Sequence, residues 1–298
     1  MNMGPRFAFI GCVELSHALL RRLLTSGVAV PVGVVTREAS PFNADFRSLA
    51  DLAMEADCPI HFADDGNSAA MADFLRDLSP DVICCVGWSR LLPKAVLDIP
   101  PKGVIGYHPA ALPNNRGRHP LIWALALGLS ETASTFFLMD EGADTGPILD
   151  QRPVIIHPDD TARTLYARVA ETALVQIGDI MAGIGAGTTV AVPQDHGRAT
   201  VWRKRGPRDG EIDWRMSAKA IFDLVRALSH PYPGAHCQAG GSPVKVWRAG
   251  IGPPAPANLE PGRVLDVSNR GILVKCWDGS VLLMEHEFNP LPEPGTCL

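Results

Sequence analysis

Residues 81–87 read DVICCVG, an apolar run of strand length bounded by an aspartate and a glycine. Comparable runs precede and follow it, at residues 6–11 (RFAFIG), 30–36 (VPVGVVT), 59–62 (PIHF) and 103–107 (GVIGY). Segments with apolar residues at helical spacing lie between them, at residues 14–26, 46–57 and 69–78. This alternation predicts an α/β fold with a Rossmann-like, mostly parallel sheet that has helices on both faces.

The pattern changes in the second half of the chain. Residues 161–184 predict one long helix, and residues 217–228 predict an amphipathic helix. Short strand-like runs then follow at even spacing, at residues 244–248, 262–267, 272–276 and 281–285. We therefore predict a catalytic domain over residues 1–184, a glycine- and proline-containing linker over 185–207, and a small β-barrel-like (OB-like) domain over 208–298.

Composition argues against several classes of protein. The 298 residues are 46% hydrophobic and 20% charged, with a net charge of −5, which is an ordinary globular profile. This mildly acidic balance carries no signature of a nucleic-acid binder, so a nucleic-acid partner is not expected. No cationic leader precedes the first strand, and no apolar run has the length of a membrane span, so we expect a cytoplasmic protein without a membrane partner.

Cysteine and histidine usage points away from disulfides and metals. The seven cysteines are odd in number and lack CxxC spacing, which predicts reduced thiols. The nine histidines form no HxxxH or HExxH pattern, so no metal site is expected. Gly11 is a single glycine where a dinucleotide-binding loop needs three, and we therefore expect no NAD site.

The residues that carry chemistry lie at 103–149, in GVIGYHPAALPNNRGRHPLIWALALGLSETASTFFLMDEGADTGPIL. His108 follows directly on a buried strand, and Asp144 lies in a turn rich in Asp and Gly. Two adjacent strand ends could bring these side chains together, and ligands of such sheets bind beyond the carboxyl ends of strands. A carboxylate beside an imidazole fixes its tautomer, as general acid–base catalysis requires. The alternative is a histidine that ends a strand and is satisfied by a backbone carbonyl.

Several motifs resemble the folate-dependent formyltransferases, a family that includes methionyl-tRNA formyltransferase and the sugar N-formyltransferases. HPAALPNNRG (108–117) is similar to the family loop HxxxLPxxRG, and MDEGADTGPIL (139–149) to its Asp-Gly turn before a strand. DVICCVGWSRLLPKAVLDIP (81–100) resembles the strand and loop that precede them. VWRKRGPRDGEIDW (201–214) and HPYPGA (230–235) look like the start of the family's C-terminal domain.

The resemblance implies N10-formyltetrahydrofolate as the formyl donor, with no metal. His108 would take or relay the proton of the attacking amine, and Asp144 would polarise His108. It also implies cofactor contacts, mainly through the main chain, at Gly87, Trp88, Leu91, Leu92, Leu138, Asp140 and Gly142. For Trp88 the alternative is ordinary packing at a strand end. The expected substrate-binding residues are Tyr107, Asn114, Asn115, Arg116 and Gly117. Arg116 is either a substrate anchor or a clamp that shapes its own loop.

One position departs from the family pattern. The family motif is Asn-x-His, whereas this chain has Gly106-Tyr107-His108. The asparagine amide donates to the developing oxyanion, and loss of one such donor costs about a hundred- to a thousandfold in rate. Asn114, Asn115, Thr135 or a water could fill the gap, the enzyme could be slow, or the site could bind without turnover. We expect retained activity, with Gly106→Asn raising kcat if a donor is missing and lowering it if another group fills the space.

The acceptor is predicted from charge and from the branch of the family. Residues 37–45 (REASPFNAD) hold one cation and two carboxylates, whereas tRNA binding needs several cations. GCVELS (11–16) and RGPRDGEIDW (205–214) resemble the sugar-modifying branch, which favours a nucleotide-linked amino sugar whose diphosphate would suit Arg116 or Arg118. The alternatives are initiator tRNA, a hydroxylated ornithine-like amine, and a silent folate- or metabolite-binding protein. The C-terminal domain could serve contacts in a homodimer, substrate binding or neither.

Overall fold

A computed structural model describes residues 4–39, 45–64 and 68–298. The strands in these ranges are β1 (Arg6–Ile10), β2 (Val30–Thr36), β3 (Ile60–Phe62), β4 (Val82–Cys85), β5 (Val104–His108), β6 (Arg116–Gly117), β7 (Glu131–Leu138), β8 (Ile148–Ile155), β9 (Val201–Trp202), β10 (Ala235–Ala239), β11 (Ser242–Ile251), β12 (Val264–Ser268), β13 (Gly271–Lys275) and β14 (Ser280–His286). The α-helices are α1 (Glu14–Ser26), α2 (Ala50–Glu55), α3 (Ser68–Leu78), α4 (Lys94–Leu97), α5 (Pro120–Ala126), α6 (Ala162–Ala186) and α7 (Ala218–Ala227). Short 3-10 turns lie at His196–Arg198 and Pro207–Gly210. Residues 40–44 of the predicted acidic loop, and residues 1–3 before β1, lie outside the described residues.

The chain divides into two compact units. The first comprises Met1–Gly117, Ala133–Val154 and Arg168–Trp202. The second comprises Arg118–Thr132, Ile155–Ala167 and Arg203–Leu298. Each unit is therefore assembled from segments that are separate in sequence, a feature that a left-to-right division of the chain does not anticipate.

A seven-stranded sheet carries the fold of the first half, in the order β3-β2-β1-β4-β5-β7-β8. β1 pairs in parallel with β2 and β4, and the parallel set extends to β3 and β5. β7 pairs with β5 in the antiparallel direction. The predicted mostly parallel sheet with flanking helices is confirmed, and its centre is buried because VICC of β4 is apolar on both faces.

Two local predictions differ from the structure. The helix predicted over residues 46–57 is confined to α2, because Phe46 and Arg47 pair with the loop that follows β1. The backbone groups of these two residues pair with Cys12 and Val13 instead of forming the hydrogen bonds of a helix. His108 is the last residue of β5 instead of the first residue after it.

Helix α6 is long and apolar enough, by length and composition alone, to cross a membrane. It is also a core helix: Leu165, Ala173, Ile177 and Met181 are fully buried, and Gln176 donates to the Ser134 carbonyl of β7. Burial against a sheet and a polar contact within the protein are what a core helix requires. The helix therefore gives no evidence of a membrane span.

The second unit contains a five-stranded antiparallel sheet in the order β10-β11-β14-β13-β12. This sheet confirms the predicted β-rich C-terminal region. It also contains β10, a strand that the sequence analysis did not predict. Helix α7 packs against β11 and β14 and against α5. Within α7, the buried Arg226 pairs with Asp223 and donates to the carbonyls of His157 and Asp160. Because both ions are buried and hydrogen-bonded, this contact fixes α7 within its unit.

Candidate functional site

The register between β5 and β7 positions the candidate site. His108, at the carboxyl end of β5, lies opposite Thr135, and Gly106 lies opposite Phe137. The loop that follows β5 returns through β6, and the Asp-Gly turn lies between β7 and β8. Asp144 therefore approaches His108 from the turn of the neighbouring strand pair, as the sequence suggested.

His108 lies between two acceptors. Its Nδ1 is 3.5 Å from Asp144 Oδ2, and its Nε2 is 2.7 Å from the carbonyl oxygen of Asn115. A carbonyl can only accept, so Nε2 carries a hydrogen and the neutral ring has its lone pair at Nδ1. The side chain is buried, with His108 4% exposed. The geometry is thus compatible with both interpretations of this histidine: a carboxylate lies beside Nδ1, and a backbone carbonyl accepts from Nε2.

Both acceptors belong to residues with left-handed backbone. Asp144 has φ 58° and Asn115 has φ 63°, a region that side chains other than glycine seldom adopt and that Asn and Asp tolerate best. The Asp144 carboxylate accepts from the backbone N–H of Gly117 at 2.9 Å. At Gly146, a Cβ would lie 1.7 Å from the Leu138 carbonyl oxygen, so only glycine allows this close turn. The turn geometry directs the carboxylate toward the imidazole.

The space beside Gly106 is filled by apolar side chains. A Cβ at this position would lie 2.7 Å from Cγ of Met139 and 2.8 Å from Cζ of Phe137. Met139 in turn packs against the core cluster of the sheet. The site therefore lacks the hydrogen-bond donor of the family asparagine. It also lacks the space that an asparagine side chain would need, because Met139 and Phe137 fill it.

The three residues proposed to replace that donor differ in how far their hydrogen-bonding groups are engaged elsewhere. Thr135 Oγ1 is buried and lies 2.7 Å from both the Ala110 carbonyl oxygen and Gln151 Oε1. The Asn115 side chain accepts from Thr200 Oγ1 at 3.4 Å. The carboxamide of Asn114 is half-buried and has no hydrogen-bond partner among the described residues. Within the described part of the chain, Asn114 is therefore the candidate whose amide has neither end engaged, whereas in Asn115 only the side-chain oxygen is engaged.

Tyr107 and Arg116 are predicted substrate-binding residues whose polar atoms contact the protein itself. The Tyr107 hydroxyl lies 3.0 Å from Ser134 Oγ, and burial raises the pKa of this phenol. Arg116 is buried; its Nη2 donates to Gln194 Oε1 at 2.6 Å and lies 3.2 Å from His196 Nδ1. These contacts favour the clamp interpretation of Arg116 over the substrate anchor.

The predicted linker contributes directly to the site. Within it, β9 pairs in parallel with β6, so Arg116 and Gly117 lie opposite Val201 and Trp202. The backbone N–H of Asn115 donates to Thr200 Oγ1 at 2.8 Å. Composition alone described this segment as irregular, because its contacts are long-range pairings that leave no local periodicity. We refer to residues 194–202 as the 194–202 segment.

The predicted cofactor residues lie on two turns of the first unit. Gly87 has φ 65°, and the Trp88 ring packs against the core cluster with the Arg37 guanidinium 4.9 Å from its centre. Leu91 is 60% exposed, whereas Leu92 is buried in the core cluster. On the second turn, Asp140 Oδ1 accepts from the Gly142 N–H at 3.0 Å and from the Thr145 hydroxyl, and the Leu138 N–H donates to the Pro147 carbonyl. Leu92 could therefore contact a ligand only through its main chain.

Metal-binding geometry is absent from the described ranges. Within residues 4–39, 45–64 and 68–298, no group of three or more His, Cys, Asp or Glu side chains is close enough to hold an ion. The pair His108 and Asp144 supplies two such groups, and its third neighbour is a carbonyl oxygen. The chemistry that the site offers is proton transfer at Nδ1 beside a carboxylate.

Comparison with known proteins gives the family. Residues 6–177 match the formyl transferase family model, and residues 205–290 match the model of the formyl transferase C-terminal domain. Methionyl-tRNA formyltransferase of Trichlorobacter lovleyi is 32% identical over 286 residues, covering 95% of this chain and 89% of the relative.

Solved structures of an N-formyltransferase and of HypX share the fold. An N-formyltransferase from Helicobacter canadensis, in complex with folinic acid and dTDP-3-aminofucose, has a TM-score of 0.72 at 15% identity, covering 93% of this chain and 98% of that one. HypX from Aquifex aeolicus, in complex with tetrahydrofolic acid, has a TM-score of 0.66 at 21% identity over 95% of this chain. The present chain spans 44% of the length of HypX. With both family models matched over most of its length, the chain belongs to the formyltransferase family.

Proposed function

We propose that this folate-dependent formyltransferase moves the formyl group of N10-formyltetrahydrofolate onto the amine of a nucleotide-linked amino sugar in the cytoplasm. The observation that carries the transfer chemistry is the position of His108 Nδ1, 3.5 Å from Asp144 Oδ2, with Nε2 held by the Asn115 carbonyl. That arrangement leaves one ring nitrogen as a base and places a negative charge beside it.

In the proposed reaction the acceptor amine attacks the formyl carbon. His108 Nδ1 takes the proton that the amine nitrogen loses, and the Asp144 carboxylate stabilises the resulting imidazolium. The tetrahedral intermediate then collapses by breaking the bond from the formyl carbon to N10, while the His108 imidazolium gives its proton to N10, which releases tetrahydrofolate and regenerates the base. Asp144 acts as a counter-ion in this scheme and need not take up the proton itself.

We place the folate on the two turns that hold the predicted cofactor residues. Leu91 offers an exposed apolar side chain there, and we assign the polar contacts to backbone groups of the two turns. A flat heterocycle is bound in this way by apolar contact together with a few directed polar groups. Gly106 has no side chain that could donate a hydrogen bond to the oxyanion of the tetrahedral intermediate. We assign this donor role to the side-chain amide of Asn114.

The amino-sugar acceptor rests on charge. Residues 37–45 contain one arginine, one glutamate and one aspartate, so this stretch of sequence offers little positive charge to a phosphate backbone. The Arg116 guanidinium is buried against Gln194, so Arg118, which is exposed, is the better candidate for the diphosphate.

Methionyl-tRNA is the second candidate acceptor, and two observations favour it. The curated relative that is 32% identical is a methionyl-tRNA formyltransferase. In the second unit, the Arg203 and Arg205 guanidinium groups lie 5.3 and 4.5 Å from the centre of the Trp123 ring. Lys204 and Arg208 are exposed cations of the same segment, and Arg118 is also exposed. Such a cluster could contact phosphates, and binding of that kind weakens steeply as salt rises.

Formyl transfer should be measured with N10-formyltetrahydrofolate and two acceptor sets, dTDP-linked amino sugars and methionyl-tRNA, with product read by mass. We expect turnover with an amino sugar and little dependence on salt. His108→Ala and Asp144→Asn should each lower kcat by about 10²–10⁴-fold, since that is the contribution of a positioned base, with folate binding retained. Asparagine can still accept from the Gly117 N–H, so Asp144→Asn removes the charge and keeps that contact.

His157→Ala is the matched control, because His157 is an exposed histidine of the second unit and should behave as the parent. Turnover confined to methionyl-tRNA, with a steep salt dependence, would establish the second candidate instead. Equal loss of folate binding and turnover in His108→Ala would mean that His108 supports structure. Folate binding without transfer to any amine would contradict the proposed activity.

A further inference from the structure

The side chain of Gln194 uses its whole hydrogen-bonding capacity inside the protein. Its Oε1 accepts from Arg116 Nη2 at 2.6 Å and from Arg116 Nε at 3.2 Å. Its Nε2 donates to the Asp144 carbonyl at 2.9 Å and to the Gly146 carbonyl at 2.7 Å. A guanidinium only donates and a carbonyl only accepts, so these partners fix which end of the amide faces which loop. Gln194 is 7% exposed, so water competes little for these hydrogen bonds.

These bonds join the two loops that hold the reactive pair. On one side, Gln194 holds the carbonyl of Asp144 itself, a residue whose φ of 58° needs support from its surroundings. On the other side, Arg116 directly follows Asn115, whose carbonyl receives His108 Nε2. The amide therefore links the residue that faces Nδ1 to the residue that faces Nε2.

Thr200 provides a second attachment from the same segment. Its hydroxyl oxygen accepts from the Asn115 N–H at 2.8 Å, and its carbonyl accepts from the Arg116 N–H at 3.0 Å. Asn115 has φ 63°, so both left-handed residues around the imidazole are held by the 194–202 segment. Thr200 is exposed, unlike Gln194, so its attachment can be altered with little effect on the core.

We propose that Gln194 is the positioning residue of the His108–Asp144 pair, acting through the backbone of Asp144, with Thr200 positioning Asn115 in the same way. This inference rests on the proposed function for its kinetic consequence. Displacement of a reacting group by about 1 Å can cost about 10²-fold in rate, so a residue that never touches substrate can control kcat. Binding of the folate is expected to depend on it little, because the predicted folate contacts lie at residues 87–92 and 138–142, whereas Gln194 holds Asp144 and Gly146 at the other end of the Asp-Gly turn.

Gln194→Glu and Gln194→Met separate positioning from general stability. Glutamate keeps the acceptors for Arg116, and as a carboxylate it cannot donate to the Asp144 and Gly146 carbonyls, which it would repel. Methionine loses both sets of bonds at similar size. We expect Gln194→Glu to lower kcat about tenfold to a hundredfold, at least as much as Gln194→Met, while remaining the more stable of the two. KM for N10-formyltetrahydrofolate should stay within about twofold in both variants.

A spectroscopic readout makes the test independent of turnover. The imidazole ¹⁵N resonances of His108, identified by their absence in His108→Ala, should shift in Gln194→Glu, because the carboxylate beside Nδ1 moves. Thr200→Val should shift the same resonances with near-parental stability, which covers the case in which the Gln194 variants fail to fold. Gln176→Met is the matched control: Gln176 is also a buried glutamine that donates to a carbonyl, at 3.1 Å from Ser134, and its loss should lower stability without altering His108 or kcat.

The outcomes are distinct. Unchanged His108 resonances in both Gln194→Glu and Thr200→Val would overturn the positioning role, whatever the kinetics. A kcat that follows stability, with Gln194→Met slower than Gln194→Glu, would overturn it too and leave a structural role. Absence of turnover in the parent with every acceptor would contradict the proposed function, and the resonance shifts would still decide the role of Gln194.

Discussion

At the scale of single residues, Gly106 illustrates how a substitution is absorbed by its neighbours. An asparagine in the family motif would project from the same backbone position toward Met139 and Phe137, whose atoms lie within 2.8 Å of a Cβ built there. Ordinary contacts between carbon atoms are about 3.5–4.0 Å, so an added side chain must displace one of them. Phe137 is the cross-strand partner of Gly106 in the β5–β7 pair, and Met139 is held by the sheet core.

Gly106→Asn is therefore expected to lower stability and kcat. Forcing atoms into a packed region costs about 1–3 kcal/mol, and here the strain falls two residues from His108. The measurement is urea unfolding together with kcat on the best acceptor. Gly106→Asn combined with Met139→Ala, which opens the space, should recover part of both losses. Gly206→Asn is the control, because a Cβ there meets nothing within 4 Å and φ is −121°. A rise in kcat for the single variant would mean that the space adapts and that a donor was missing.

At the scale of secondary-structure elements, boundaries follow the residues that cap them. The predicted helix over residues 217–228 corresponds to α7, and Ser217 is its N-cap: the side chain accepts from the Ala220 N–H at 3.1 Å. Asp278 accepts from the Ala218 N–H at 2.7 Å, which satisfies a further exposed donor of the first turn. β9, in contrast, has no boundary signal in the sequence, because its two residues are defined by pairing with β6.

Ser217→Ala should lower the free energy of unfolding by about 1 kcal/mol, since an alanine cannot accept at the N-cap. Ser217→Asp should restore most of that loss, because aspartate caps as well as serine. The midpoint of urea unfolding, at constant slope, measures both changes. Ser242→Ala, at an exposed strand position, is the control and should leave the midpoint unchanged. If Ser217→Ala and Ser242→Ala unfold alike, Asp278 alone caps the helix.

At the scale of the whole molecule, burial decides the state of the cysteines. Six of the seven are buried, and Cys297 is exposed near the chain end. Burial raises the pKa of Cys84 to about 12, and burial with the nearby Asp57 charge raises the pKa of Cys58 to about 11. Removal from water disfavours the thiolate, which is the reactive form. The folded protein therefore protects nearly all of its thiols.

At pH 8 the native protein should react quickly with one equivalent of a thiol reagent per chain. The protein unfolded in denaturant should react with seven equivalents. The fast equivalent should vanish in Cys297→Ser. Raising the pH to about 10 should not release Cys58, because a thiol with a pKa of about 11 stays mainly protonated there. Two or more fast thiols in the native state, with Cys297→Ser still reactive, would mean that a buried cysteine becomes accessible through local opening.

The sequence determined the sheet, the family and the two residues that face each other at its edge. Apolar runs bounded by turn residues predict buried strands, and apolar residues at helical spacing predict helices, without knowledge of the partners of either. The observed bounds of β2 and α1 therefore agree with the predicted ones. His108 and Asp144 could be paired from sequence because adjacent strand ends meet at one edge of a sheet. The domain boundaries near residues 184 and 208, the acceptor and the homodimer remain predictions.

Tertiary structure alone decided what surrounds those two residues. The Met139 and Phe137 side chains beside Gly106 and the Gln194 amide between the two loops are contacts between segments far apart in sequence. Residues 185–207 were interpreted as a linker because pairing of β9 with β6 leaves no periodic trace in a two-residue strand. Local patterns encode which face of an element is apolar; the identity of the neighbour that fills a given space is set only when the elements pack.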